Sequence, residues 1–212
     1  MFFIKTMINI YITETLQNAE TYFNRLDEAS QERIKTFKLP LQQAQRITGD
    51  LLLKAALRKE GYFDYKVIYT PKLMLENNVA YISKSHSHNY VMVVITNELV
   101  GCDIELVKEV KIQKKVLALN ELEVFNESEN KDLTFMRYWT AKEAYIKYYG
   151  GLVKPYQNIV FNIAHQESSI WYGTIDDLYC YQTGFNGYVI STVTKSVKQI
   201  NFNYLTINEL LY

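Results

Sequence analysis

A formal net charge of zero, from 23 basic and 23 acidic residues in 212, leaves no global electrostatic field on which a function could rest. Nucleic acid and anionic membrane are therefore not expected as main partners. Cysteine is scarce as well. Cys102 and Cys180 supply neither a disulfide framework nor a zinc pattern, and Cys102 lies inside an apolar run, which implies a reducing cytoplasm. Long hydrophobic runs are also lacking: MFFIKTMINIYI at the start is interrupted by Lys5 and Asn9, with no small-residue cleavage site after it. It reads as a first strand rather than a leader or span. Missing too are a Walker-type loop, G-x-G-x-x-G, a serine elbow and C-x-x-C, so the chemistries tied to those motifs have no support. No low-complexity linker divides the chain, and one compact body is expected.

What is present falls into two halves with the same order of elements. Residues 4–12 read as a strand and 18–37 as helical, with Ser30 as a cap for a second helix and Pro40 as its stop. A long helix follows over 42–60, with Ile47, Leu51, Leu52, Ala55 and Leu57 or Arg58 on its inner side, and Gly61 ends it. Strands are predicted at 65–70, closed by Pro71, and at 79–84 after an Asn77-Asn78 turn. The apolar runs 90–96 and 99–106 are separated by Asn97-Glu98, a hairpin signal. The second half repeats this order with a charged helical stretch (108–127), a helix over Phe135–Tyr149, Gly150-Gly151, a strand at 158–163, and a 178–183/188–194 hairpin. Long helix, glycine, strand and hairpin twice over predict an α+β fold of two similar lobes, 1–99 and 100–212, with a ligand cleft between them.

The helix FMRYWTAKEAYIKYY carries the first chemical signal. Phe135, Tyr138, Trp139, Ile146 and Tyr149 form an apolar stripe with Lys142 in its middle, and a buried ammonium demands an anion. Beside it Glu143 and Lys147, four apart, share a face with Thr140. In VGCDIE, strand alternation sends Val100, Cys102 and Ile104 to one face and Gly101, Asp103 and Glu105 to the other. Two carboxylates about 6–7 Å apart on one side of a strand can hold one hard cation, and Glu143 would complete an acidic trio suited to Mg²⁺ and a substrate phosphate. Acids on the wet face of a strand are the bland alternative. In SKSHSHNY, Ser85 and His86 are candidate phosphate donors, while His86 and His88 lack a third nitrogen or thiolate for a transition metal. Most basic residues of the first half read as a solvated face. Arg46 stands out because it opens the long helix beside Gly49-Asp50, where a guanidinium can grip a phosphate with two donors.

Taken together, VGCDIE at 100–105, WTAKEAYIK at 139–147 and SHS at 85–87 resemble the 4′-phosphopantetheinyl transferases, of the larger pseudo-dimeric type that activates peptide synthetases. The resemblance extends from about Ser30 to the end of the chain. It implies a pseudo-twofold pair of lobes, coenzyme A phosphate contacts from the first and a metal site from the second. It further implies that Asp103, Glu105 and Glu143 hold Mg²⁺, that Glu143 deprotonates the acceptor serine, and that Lys142 and Lys147 contact phosphate. Ser85, His86 and Arg46 match the family's nucleotide-phosphate contacts, Arg33 matches a further basic position, and Lys72 is a candidate coenzyme A contact beside them. The chain departs from the family in having Thr70-Pro71-Lys72 for Gly-Lys-Pro, in His88 for a glycine after SHS, and in a shorter Arg46 to Gly49 interval. The implied partners are coenzyme A and an apo peptidyl, acyl or aryl carrier domain, and two lobes in one chain imply a monomer. The competing readings are a non-catalytic coenzyme A or carrier-binding module of the same fold, and an unrelated Mg²⁺-dependent phosphoesterase or nuclease. The neutral composition disfavours the nuclease.

Overall fold

The computed structural model describes residues 7–64, 66–69, 72–167, 169–197 and 199–211. Pro71 and residues 4–6 of the expected first strand lie outside them. The elements in order are β1 (Met7–Glu14), α1 (Glu28–Lys35), α2 (Pro40–Lys59), β2 (Val67–Tyr69), β3 (Leu73–Leu75), β4 (Tyr81–Ser87), β5 (Tyr90–Thr96) and β6 (Val100–Leu106). There follow α3 (Gln113–Val116), α4 (Leu119–Glu127), α5 (Lys131–Tyr149), β7 (Phe161–Glu167), β8 (Ile170–Ile175), β9 (Leu178–Phe185), β10 (Tyr188–Thr194), β11 (Gln199–Tyr204) and α6 (Ile207–Leu211). The fold is α+β. Among the described residues one sheet runs β11-β1-β5-β4-β3-β2 and the other β6-β10-β9-β8-β7. No helix of the described residues is long and apolar enough to cross a membrane.

Alternation along the strands explains the layers. Ile8, Ile10, Ile12, Met92 and Val94 of the first sheet face Val100, Cys102, Ile104 and Ile190 of the second, forming a core between the sheets. The opposite face of the first sheet, with Val91, Val93 and Ile95, packs on α2 through Ile47, Leu51, Leu52 and Ala55. Leu57 belongs to that core and Arg58 does not. The second sheet packs its other face, with Cys180, Val189 and Val193, on α5.

Several expectations are corrected. Asp27, not Ser30, caps α1: its carboxylate accepts from the Ser30 amide at 2.9 Å, because Ser30 already sits three residues into the turn. Pro40 opens α2 at its first position, where its missing N–H costs nothing, instead of ending the helix before it. The segments flanking Asn97-Glu98 form no hairpin, since both edges of β5 are taken by β1 and β4. The chain therefore crosses there from one sheet to the other. Residues 199–211, assigned to the second lobe, return to the first: β11 pairs parallel with β1, and Leu205 and Leu210 join the α2 core. Of the expected stripe on α5, Phe135 and Tyr138 are buried and Trp139 and Ile146 partly so, while Tyr149 is 37% exposed. Thr140 turns away from Glu143 to meet Ser191 at 2.7 Å.

Candidate active site

The contact between α5 and β6 places the chemistry. Gly101 permits it: a Cβ there would overlap the Ala144 carbonyl oxygen and the Tyr148 amide nitrogen. With no side chain between them, the helix backbone lies directly on the strand, and Glu143 and Lys147 come beside Asp103. The other edge of β6 is finished by serines. Ser83, Ser85 and Ser87, alternate residues of β4, accept from the amides of Cys102, Ile104 and Leu106 at 3.0, 3.4 and 3.3 Å. Three side-chain oxygens thus stand where a neighbouring strand's carbonyls would be. Two of these hydroxyls also donate, Ser85 to Asp103 Oδ1 and Ser87 to Glu105 Oε2, each at 2.7 Å.

A cavity of about 350 Å3 opens over this junction. It is lined by Arg46 of α2, Lys84, Ser85 and His86 of β4, Asp103 and Glu105 of β6, and Trp139, Glu143 and Lys147 of α5. Lys147 Nζ donates to Asp103 Oδ1 at 2.7 Å and to Ser85 Oγ at 2.9 Å. Burial works against its ammonium, yet the Asp103 carboxylate holds its pKa above the ordinary lysine range. Glu105 and Glu143 are both pushed up, by burial first, with the negative charge of Asp103 adding to it and hydrogen bonds from Ser87 and Tyr156 opposing it.

The cavity's other wall is cationic. Arg46 lies 4.4 Å over the Phe37 ring, and its buried Nε has no hydrogen-bond partner. The His86 imidazole is pushed down from 6.5 to about 4, by burial and by the positive charges of Arg46 and Lys147. Between those two pH values the unfolded chain binds the extra proton, so stability falls as pH drops from 6.5 to 4. An NMR titration of the ligand-free protein should place the His86 midpoint near 4, and His86→Gln should flatten the stability profile over that window. A midpoint above 6 would contradict this reading of the wall.

Not every expected residue reaches the cavity. Arg33 is held at its margin by Asp50, 2.7 Å away, and by the Tyr69 ring 4.1 Å beneath it. Lys72 lines a neighbouring cavity of about 290 Å3, which shares Lys84 and Lys147 with the first. Lys142 is the correction. It is fully buried, paired with Glu121 at 2.5 Å and donating to the Val116 and Tyr156 carbonyls at 2.8 and 3.0 Å. The anion its position demands comes from the protein, and no phosphate can reach it. Sequence reasoning missed Lys84, which pairs with Asp50 at 2.5 Å, the serine ladder and Tyr156. The period-two spacing of Ser83, Ser85 and Ser87 was a usable signal for the ladder.

Among the described residues no three Asp, Glu, His or Cys side chains form a ready-made cation cage. The donor set nevertheless fits a hard divalent cation. Asp103 Oδ2 is buried without a hydrogen-bond partner, Glu105 and Glu143 line the same cavity, and all three offer carboxylate oxygen.

Fold and site together define an α+β protein whose carboxylates and cations converge on one cavity. Residues 99–193, which hold β6, α5 and most of the second sheet, match the model of the 4′-phosphopantetheinyl transferase superfamily, ACPS. That match covers under half of the chain and is a similarity to the superfamily in this segment. Among solved structures it is similar to Thermotoga maritima holo-[acyl-carrier-protein] synthase, at 14% identity and a TM-score of 0.36, over 44% of this chain and 60% of that one. The chain thus spans less than two thirds of that protein's length. No curated protein matches it.

Proposed function

We propose that this protein transfers the 4′-phosphopantetheine arm of coenzyme A to a serine of an apo carrier protein. The observation that carries the reading is one cavity shared by Asp103, Glu105, Glu143 and Lys147 with Arg46, Ser85 and His86. The superfamily segment, 99–193, contains the first four. In the transfer the serine Oγ bonds to the β-phosphorus, the pyrophosphate P–O bond breaks, and adenosine 3′,5′-bisphosphate leaves. Asp103, Glu105 and Glu143 would hold Mg²⁺. That ion supplies charge neutralisation on the pyrophosphate. Lys147, at the Asp103 end of the cavity, offsets charge developing on the phosphoryl oxygens. Arg46, Ser85 and His86 bind the nucleotide phosphate, with Lys72 and Arg33 flanking. Glu143 takes the serine proton, a role its raised pKa suits.

The larger, pseudo-dimeric type accounts for two sheets each carrying one long helix, with the cavity where two pseudo-twofold lobes meet. One chain then supplies both walls and a monomer suffices; the free, buried Cys102 and Cys180 suit a cytoplasmic site. The test is intact-mass spectrometry of apo peptidyl, acyl and aryl carriers incubated with the protein and coenzyme A, with Mg²⁺ or with EDTA. A gain of one phosphopantetheine only with Mg²⁺ is expected. Glu143→Gln should lower that transfer by about 10²–10⁴-fold while retaining the fold, and near-normal turnover would remove Glu143 from the mechanism. No gain on any carrier despite measurable coenzyme A binding would favour a non-catalytic binding module.

A further inference from the structure

Tyr156 follows α5 in a short 3-10 turn, Tyr156–Asn158, and α5 grips it at three points. Its ring stacks on Trp139, 5.5 Å between centroids and 3° from parallel. Its carbonyl accepts from Lys142 Nζ at 3.0 Å, and its hydroxyl donates a short hydrogen bond to Glu143 Oε1. Trp139, Lys142 and Glu143 stand at i, i+3 and i+4, so one face of the helix holds the whole residue. Lys142 is itself immobilised: with Glu121 it forms an ion pair at 2.5 Å whose side chains are 0% and 1% exposed. Glu121 in turn accepts from the Ala118 and Phe161 amides, each at 2.9 Å. A rigid buried pair therefore fixes the turn, the turn fixes the phenol, and the phenol ends on a cavity carboxylate.

We infer that Tyr156 is a positioning residue for Glu143: its hydroxyl engages Oε1 and leaves Oε2 as the oxygen presented to a cation and to the acceptor proton. This rests on the transferase reading for its chemistry and on the geometry above for its existence. A glutamate on a helix surface ordinarily samples several rotamers, and a ligating or proton-accepting carboxylate works best when its partner holds it in one. A phenol is a hydrogen-bond donor in the neutral range, so the hydroxyl can hold Oε1. The Trp139 stack aligns the ring without using the hydroxyl, which makes positioning separable from packing.

The test is Tyr156→Phe, which keeps the ring and removes only the donor. Mn²⁺ binding to the ligand-free protein, read by electron paramagnetic resonance, should weaken about 10–100-fold. In the transfer assay kcat should fall while KM for coenzyme A stays within about twofold, because Arg46, Ser85 and His86 are untouched. An unchanged thermal midpoint would show that the loss is not one of folding. Wild-type Mn²⁺ affinity and kcat in the Phe variant would overturn the inference and leave the transferase reading standing. A wild-type protein that modifies no carrier, yet binds Mn²⁺ more tightly than Tyr156→Phe, would overturn the reading and keep the positioning role. Absence of Mn²⁺ binding by the wild type would overturn the inference.

Discussion

Glu121→Gln should destabilise the fold by about 3–5 kcal/mol, because it leaves the Lys142 ammonium buried without its counter-charge. The carboxylate of Glu121 is fully committed: Oε2 accepts from Ala118 N and pairs with Lys142, and Oε1 accepts from Phe161 N. A carboxamide is the same size but presents a donor at one of these positions, so an NH₂ must face either one amide or an amide and an ammonium. Burial already pulls the Lys142 pKa down, and Glu121 is what opposes that pull. Without it the ammonium must lose its proton or admit water. Chemical denaturation measures the loss, and a change below about 1 kcal/mol would show that the pair is not what holds this corner. Adding Lys142→Met should restore part of the lost stability, since the pair without either charge is less costly than the pair with one. The double variant should nonetheless stay impaired in transfer, because the Tyr156 carbonyl has lost its tether and Glu143 with it.

Lys142 also shows where sequence reasoning stops. Its place among aromatic residues implied a buried cation with an anionic partner, and both parts hold; the partner is Glu121 in α4, and no spacing or period links the two. The same limit applies to Tyr156, which reaches Glu143 only because the chain turns back after Gly150, whose φ of 80° ends the helix in the left-handed region. Features written in a local period were legible. Asp103 and Glu105 share a face by alternation, Glu143 and Lys147 by helical spacing, and both pairs line one cavity. Strand pairing was not legible where it depends on which edge is free. The Asn97-Glu98 turn looks like a hairpin until β1 and β4 occupy both sides of β5. β11 carries no buried residue and pairs in parallel through its backbone, so its apolar pattern gave no warning of a return to the first sheet.

Gly101→Ala should separate the two halves of the candidate site. The added Cβ would fall on the Ala144 carbonyl oxygen and the Tyr148 amide nitrogen, the two groups at i and i+4 that form a helical hydrogen bond. Both are backbone atoms, so no rotamer change relieves the overlap and α5 must lift from β6. The small side chains of Ala141 and Ala144, each 0% exposed, mark how closely the two elements approach. Overpacking of this kind costs about 1–3 kcal/mol when side chains can yield, and the upper end or more is expected where only backbone can. The effect on chemistry should exceed the effect on stability. Lys147 and Glu143 ride on the helix while Asp103 and Glu105 ride on the strand, so the 2.7 Å contact from Lys147 to Asp103 lengthens with any shift. A displacement of about 1 Å in such a constellation can cost about 10²-fold in rate. Gly151→Ala is the control, since nothing lies within 4 Å of its added Cβ and stability and transfer should both persist. Equal behaviour of the two variants in denaturation and carrier modification would mean that the α5–β6 approach does not set the site.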